Sequence, residues 1–151
     1  MTEPTDGRGR TVARWVLGAM LLAAGTAHLT TQREEFLAQV PAWFPVDADA
    51  VVVVSGLVEL ALGAALIVLH RWRVAIGLVV ALFFVVIFPG NVAQWRDGID
   101  AFGLDTDAKR FVRLFFQPVL VGWALWSTGA SHWLRTRFAD ARTPSTTPPG
   151  P

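Results

Sequence analysis

The stretch Val74-Ala75-Ile76-Gly77-Leu78-Val79-Val80-Ala81-Leu82-Phe83-Phe84-Val85-Val86-Ile87-Phe88-Pro89-Gly90-Asn91-Val92-Ala93 runs for 20 residues without a charge. At about 1.5 Å of rise per residue, a helix of that length crosses the roughly 30 Å hydrocarbon core of a bilayer. Three further apolar runs accompany it. They cover residues 12–29, residues 50–69 with Glu59 as the single charge, and residues 111–133 with Arg113 near the start. The chain has 151 residues, 53% of them hydrophobic and 17% charged, and so small a globule could not hide four such runs from water. The expected fold is therefore all-α: a four-helix transmembrane bundle over residues 11–134. A flexible N-terminus (1–10) precedes it and a disordered tail (135–151) follows. The end of that tail, from Thr143, is rich in Pro, Ser and Thr.

Composition also limits the chemistry. There is no cysteine, which removes disulfides, thiol redox chemistry, iron–sulfur ligation and Cys-type zinc sites. A redox role would have to use a bound cofactor, with a quinone as the candidate, or a partner chain. No nucleotide-binding loop, dinucleotide fingerprint or catalytic triad is legible, and nothing points to nucleic acid. No metal is expected, because His28 has no second histidine in its layer; His70 and His132 fall at the opposite boundary. The first run is read as a span rather than a cleaved signal, since Gly25-Thr26-Ala27-His28 is a poor cleavage site.

Loop charges set the expected orientation. Arg8, Arg10 and Arg14 open the first run, Arg71 and Arg73 join the second to the third, and Arg135, Arg137 and Arg142 follow the fourth. The opposite loops hold Arg33, Arg96, Lys109, Arg110 and Arg113 among many acidic residues, which count for little in this rule. The bias places both termini in the cytoplasm. Trp15, Trp72 and Trp133 then mark the inner edge, and Trp43 and Trp95 the outer edge, where an indole keeps its N–H wet. Trp123 and Trp126 lie deeper and are expected between helices or against a ligand.

Polar residues interrupt the apolar runs at one level. His28, Glu59, Asn91 and Gln117 all fall in the outer half, with Arg113 one turn from Gln117. In hydrocarbon such groups are costly unless they face a partner or a water-filled cavity. Gly18 and Gly25 share a stripe with His28, as Gly56 and Gly63 do with Glu59, so the first two spans should approach closely with their polar residues inside. Pro89 should kink the third span and free carbonyls beside Asn91. The five residues are the candidate ligand-binding or proton-handling pocket, with Glu59 as proton acceptor or head-group anchor and His28 as its partner. The alternative is that these hydrogen bonds only fix helix register, with Arg113 snorkelling toward headgroups. In the first outer loop, Phe36, Leu37 and Val40 share one face of a short helix that Pro41 ends. It is expected to lie at the interface, either as a roof over the polar layer or as a plain amphipathic connector.

Several of these segments, in this order, resemble the DoxX-like family of small four-helix membrane proteins. They are Ala24-Gly25 with His28; Phe36, Val40-Pro41 and Pro45; Ser55-Gly56-Leu57-Val58-Glu59 with Gly63; Phe88-Pro89-Gly90-Asn91-Val92; and Arg113-Leu114-Phe115-Phe116-Gln117-Pro118 leading to Trp123-Ala124-Leu125-Trp126. Relatives commonly carry a proline shortly after the histidine, where this chain has Gln32. The resemblance implies a bacterial inner-membrane protein, and some relatives are associated with membrane-bound oxidoreductase complexes. The expected function is a membrane component of a redox or quinone-linked system, with redox partner subunits or a second copy as partners. The alternatives are a non-enzymatic binder or carrier of a lipid or small amphiphile, or a structural anchor subunit.

Overall fold

The computed structural model describes residues 7–141. Every regular element among them is helical: α1 (Arg8–Leu29), α2 (Arg33–Leu37), α3 (Ala48–Val68), a 3-10 turn (His70–Trp72), α4 (Arg73–Arg96), α5 (Asp107–Leu114), α6 (Phe116–Thr128) and α7 (Ala130–Asp140). Three segments are long and apolar enough to cross a membrane: α1, α3, and His70–Arg96, which includes α4. Their outward faces carry Val54, Leu57, Val79, Leu82 and Val85, all exposed. Apolar residues on the outside as well as the inside are what a lipid solvent selects.

Two close pairs build the molecule. α1 lies against α3, α4 lies against α6, and an α1–α6 contact and a lighter α3–α4 contact close the ring. The first pair meets through glycine. A Cβ on Gly25 would fall 2.6 Å from the Gly56 carbonyl oxygen, and one on Gly63 would fall 2.7 Å from that of Gly18. Backbones this close leave no room for a side chain, so the small stripe read from the sequence is the α1–α3 seam. Leu17, Leu21, Leu66, Ile76, Val80, Phe84 and Ala124 pack the interior. Local chemistry sets the helix starts. The Asp47 carboxylate accepts from the Ala50 N–H at 3.0 Å to cap α3, and the Thr106 hydroxyl caps α5 by accepting from Lys109 N–H.

The structure corrects several boundaries. The fourth expected run, 111–133, is not one helix: it is broken at Phe115 and again at Gly129. Pro118 has no N–H to give the Leu114 carbonyl and disfavours helical backbone in the residue before it, which disrupts the first junction. Gly129 adopts φ +81, a left-handed geometry that ends α6 and redirects the chain into α7. α7 continues to Asp140, so the stretch from Arg135 expected as a tail begins as helix; Thr143–Pro151 lies outside the described residues. At the other end α1 already begins at Arg8, and the flexible segment expected over 1–10 is helical in its last residues, while 1–6 lie outside the described residues. α4 runs through Pro89 without a break. The loop helix α2 stops at Leu37, ahead of Pro41.

Candidate functional site

Glu59 reaches the interior because it stands one turn from Gly56 and Gly63 on the face of α3 that meets α1. It is 6% exposed, and its Oε2 lies 3.6 Å from His28 Nε2. That distance exceeds a hydrogen bond, and Oε2 has no hydrogen-bond partner among the described residues. The other ring nitrogen of His28, Nδ1, is 3.3 Å from the Val52 carbonyl oxygen, which orients the imidazole and favours a proton on Nδ1. Nε2 is then left as the nitrogen facing the carboxylate. The opposite pair of helices supplies amides. Asn91 Nδ2 donates to Gln117 Oε1 at 3.0 Å, and Gln117 Nε2 donates to the Phe84 carbonyl oxygen at 2.5 Å. Both side chains are buried.

Arg113 takes a different position. It is half-buried, with its guanidinium 4.9 Å from the centre of the Phe102 ring. Its Nη1 and Nη2 lie 2.8 and 2.7 Å from the side-chain amide of Gln39, whose oxygen accepts from both when the amide is turned from the orientation in which Nε2 donates to Gln94 Oε1 at 2.9 Å. It is therefore packed inside rather than extended toward the outer surface.

All five residues line one cavity of about 480 Å³. Leu17, Leu21, Val52 and Phe84 are buried on its wall, and nearly all the remaining lining is apolar. A concave, mostly apolar space with a few converging polar groups is the usual form of a small-molecule site. Among the described residues, no group of three His, Asp or Glu side chains is placed to hold a metal ion.

The cavity has a roof. Phe36 of α2 sits on His28 with ring centroids 3.4 Å apart and meets Phe102 edge-on at 4.7 Å. Phe102 belongs to the loop after α4 and holds φ +57, unusual for a residue with a side chain. Its N–H donates to the Glu35 carboxylate. The same loop is tied at its far end by Arg110, which donates to Asp100 at 2.5 Å, to the Leu104 carbonyl oxygen at 2.9 Å and to Asp107 at 2.7 Å.

A family model described as "Domain of unknown function (DUF8561)" matches residues 17–128. The chain belongs to that family. The DUF8561 region contains His28, Glu59, Asn91, Arg113 and Gln117 together with Glu35, Phe36 and Phe102 of the roof. No curated protein and no solved structure matches the chain.

Other residues in and around the cavity were not singled out from sequence, or were placed differently. Gln94, fully buried, donates to the Ile99 and Ala101 carbonyls and anchors the roof loop; its place one turn after Asn91 on the same face was the available signal. Glu35 and Phe102 carried none, since their contact joins two loops. Arg14, read as an inner-edge charge, is buried at 2% exposure, because it lies on the same stripe as Leu17, Leu21 and His28. Trp126, expected inside, is exposed, with the Arg10 guanidinium 5.9 Å from its ring. Trp123 does turn inward and donates to the Ala13 carbonyl oxygen at 3.0 Å.

Proposed function

We propose that this chain is a DoxX-like, multi-pass protein of the bacterial inner membrane that binds a quinone-type amphiphile, as the membrane component of a redox-linked system. In this reading α1, α3 and α4 are three spans, and α5 with α6 forms an interrupted fourth. From Asp107 to Thr128 they cover 22 residues, about 33 Å if helical throughout, enough to cross. The arginine bias puts the termini in the cytoplasm, so the cavity faces the outer leaflet and α2 lies at the interface.

The observation that carries the proposal is the Glu59 Oε2, which has no hydrogen-bond donor among the described residues and stands 3.6 Å from His28 Nε2, on the wall of a mostly apolar cavity. A buried carboxylate oxygen with no donor is costly to keep. A head group bearing a hydroxyl would supply that donor. A quinone ring suits the rest: its carbonyl oxygens accept from amide N–H groups such as those of Asn91 and Gln117, its ring packs on Phe36 and Phe102, and its reduced form carries hydroxyls. Reduction of a quinone takes up two electrons and two protons. Glu59 and His28 are the groups here able to hand over or receive those protons, while the electrons would come from a redox partner subunit. The resemblance to the DoxX-like family supplies that context by analogy alone.

The second reading is a carrier of a lipid or other amphiphile, favoured by the same apolar wall. Organic extraction of the detergent-purified protein followed by mass spectrometry separates them. A quinone retained by the wild type and lost from Glu59→Gln supports the proposal. A phospholipid or sterol instead supports the carrier. An empty extract, with partners unchanged in Glu59→Gln, would leave only a structural anchor.

A further inference from the structure

Five residues that line the cavity are also exposed: Met20, Trp43, Phe44, Val86 and Pro89. An exposed residue on a cavity wall marks where that cavity reaches the surface. Four of the five cluster on one flank. A Cβ on Gly90 of α4 would lie 2.9 Å from the Gln39 carbonyl oxygen, and Asp47 caps α3. The segment between Gln39 and Asp47 therefore bridges from α4 to α3, carrying Trp43 and Phe44 over the gap. Val51 and Ser55 of α3 line the cavity on the side of that helix away from the glycine seam with α1, so they face the same gap. The α3–α4 packing is also light beside the α1–α3 and α4–α6 seams. Above, the way to water is covered by Phe36, Phe102 and Arg113, with Glu35 and Gln39 holding the cover in place.

From this geometry we infer that the cavity opens sideways into the bilayer between α3 and α4, under Trp43 and Phe44, and that the apolar tail of the bound amphiphile leaves through that opening. The inference rests on the proposed head-group site and adds the ligand's class and route: a membrane-dissolved molecule with a chain, not a small solute arriving from water. Every exposed residue at the opening is apolar, as a path for hydrocarbon requires, and a tryptophan at its rim sits where an indole favours the headgroup level. Met20 marks the one other place where the lining reaches the surface, on the flank of α1 away from α3.

Binding to the full chain in lipid nanodiscs tests it, with two ligands: decylubiquinone, and the same ring bearing a methyl group in place of the decyl chain. Val86→Trp fills the opening from a lipid-facing position and should fold, as a melting temperature would verify. Val85→Trp, also exposed but off the cavity wall, is the control. The expected result is that Val86→Trp weakens decylubiquinone at least about tenfold and the tail-less ring less than about twofold, with Val85→Trp like wild type. The inference is overturned if Val86→Trp affects both ligands alike or neither, or if Met20→Trp produces the selective loss in its place. A Glu59→Gln arm keeps the two ideas apart. Wild-type affinity in Glu59→Gln removes the head-group site while the tail result stands, and a wild type that binds neither quinone removes both.

Discussion

The Glu35 carboxylate accepts the backbone N–H of Phe102, joining two loops that lie 67 residues apart in the chain. Phe102 pays for this contact with a left-handed backbone, and in that position its ring closes the cavity against Phe36 and Arg113. The bond is charge-assisted and partly buried, so removing it should release the loop. Glu35→Ala is expected to speed hydrogen exchange at the Phe102 amide about tenfold, the equivalent of about 1.4 kcal/mol of lost protection. Glu34→Ala, whose side chain is exposed, should leave that amide unchanged.

Glycine substitutions should divide sharply by position. At Gly25 a methyl group would collide with the Gly56 carbonyl and the backbone N of Leu60, neither of which can swing aside. Gly25→Val should destabilise the protein by about 2 kcal/mol or more and lower its melting temperature in detergent. At Gly122 of α6 an added Cβ meets nothing within 4 Å. Gly122→Ala should be neutral or stabilise by up to about 1 kcal/mol through helix propensity.

The amide pair gives a smaller effect. Removing Gln117 leaves Asn91 Nδ2 and the Phe84 carbonyl without the bonds they now make. A double-mutant cycle of Asn91→Ala and Gln117→Ala, read by thermal denaturation, should give a coupling of about 0.6 kcal/mol, the average for such bonds in membranes. A coupling near zero would mean that the two side chains act independently.

In the first turn of α5, at the end of the loop after α4, two basic residues should behave differently. Arg110 is buried and binds two carboxylates and a carbonyl, whereas Lys109 makes one exposed ion pair with Asp105. Arg110→Ala should open the loop to proteolysis. Lys109→Ala should leave it as resistant as wild type, because an exposed pair contributes little.

What was legible in the sequence follows from the range of each interaction. The uncharged run of α4 and Glu59, the single carboxylate beyond the first turn of α3, identify helices and interior residues locally, since lipid penalises a polar group wherever it stands. The glycine stripes likewise foretold a seam, because seven-residue spacing keeps Gly18 and Gly25 on one face. The α5–α6 break was harder: Pro118 was visible, but apolar residues on both sides of it concealed the break. Gly129 lay inside the same run and gave no charge signal. Arg14 looked like a boundary residue because arginines near span ends usually are, yet its helical phase matches Leu17 and His28. The loop helix with Phe36 could be read as a roof, but its closure by Phe102 was beyond reach, as the Glu35–Phe102 bond depends on how two distant loops fold over each other.

The most direct test of the central claim, that polar groups from separate helices converge on a cavity able to hold an amphiphile head, uses the absence of native cysteine. Ser55→Cys places a single thiol on the cavity wall beside Glu59. Its alkylation rate by N-ethylmaleimide in membranes, with and without decylubiquinone, reports whether the space is filled. The account predicts that the quinone slows alkylation at least about tenfold, and that this protection disappears when Glu59→Gln is added. Protection that is absent in the first protein, or undiminished in the second, would contradict it.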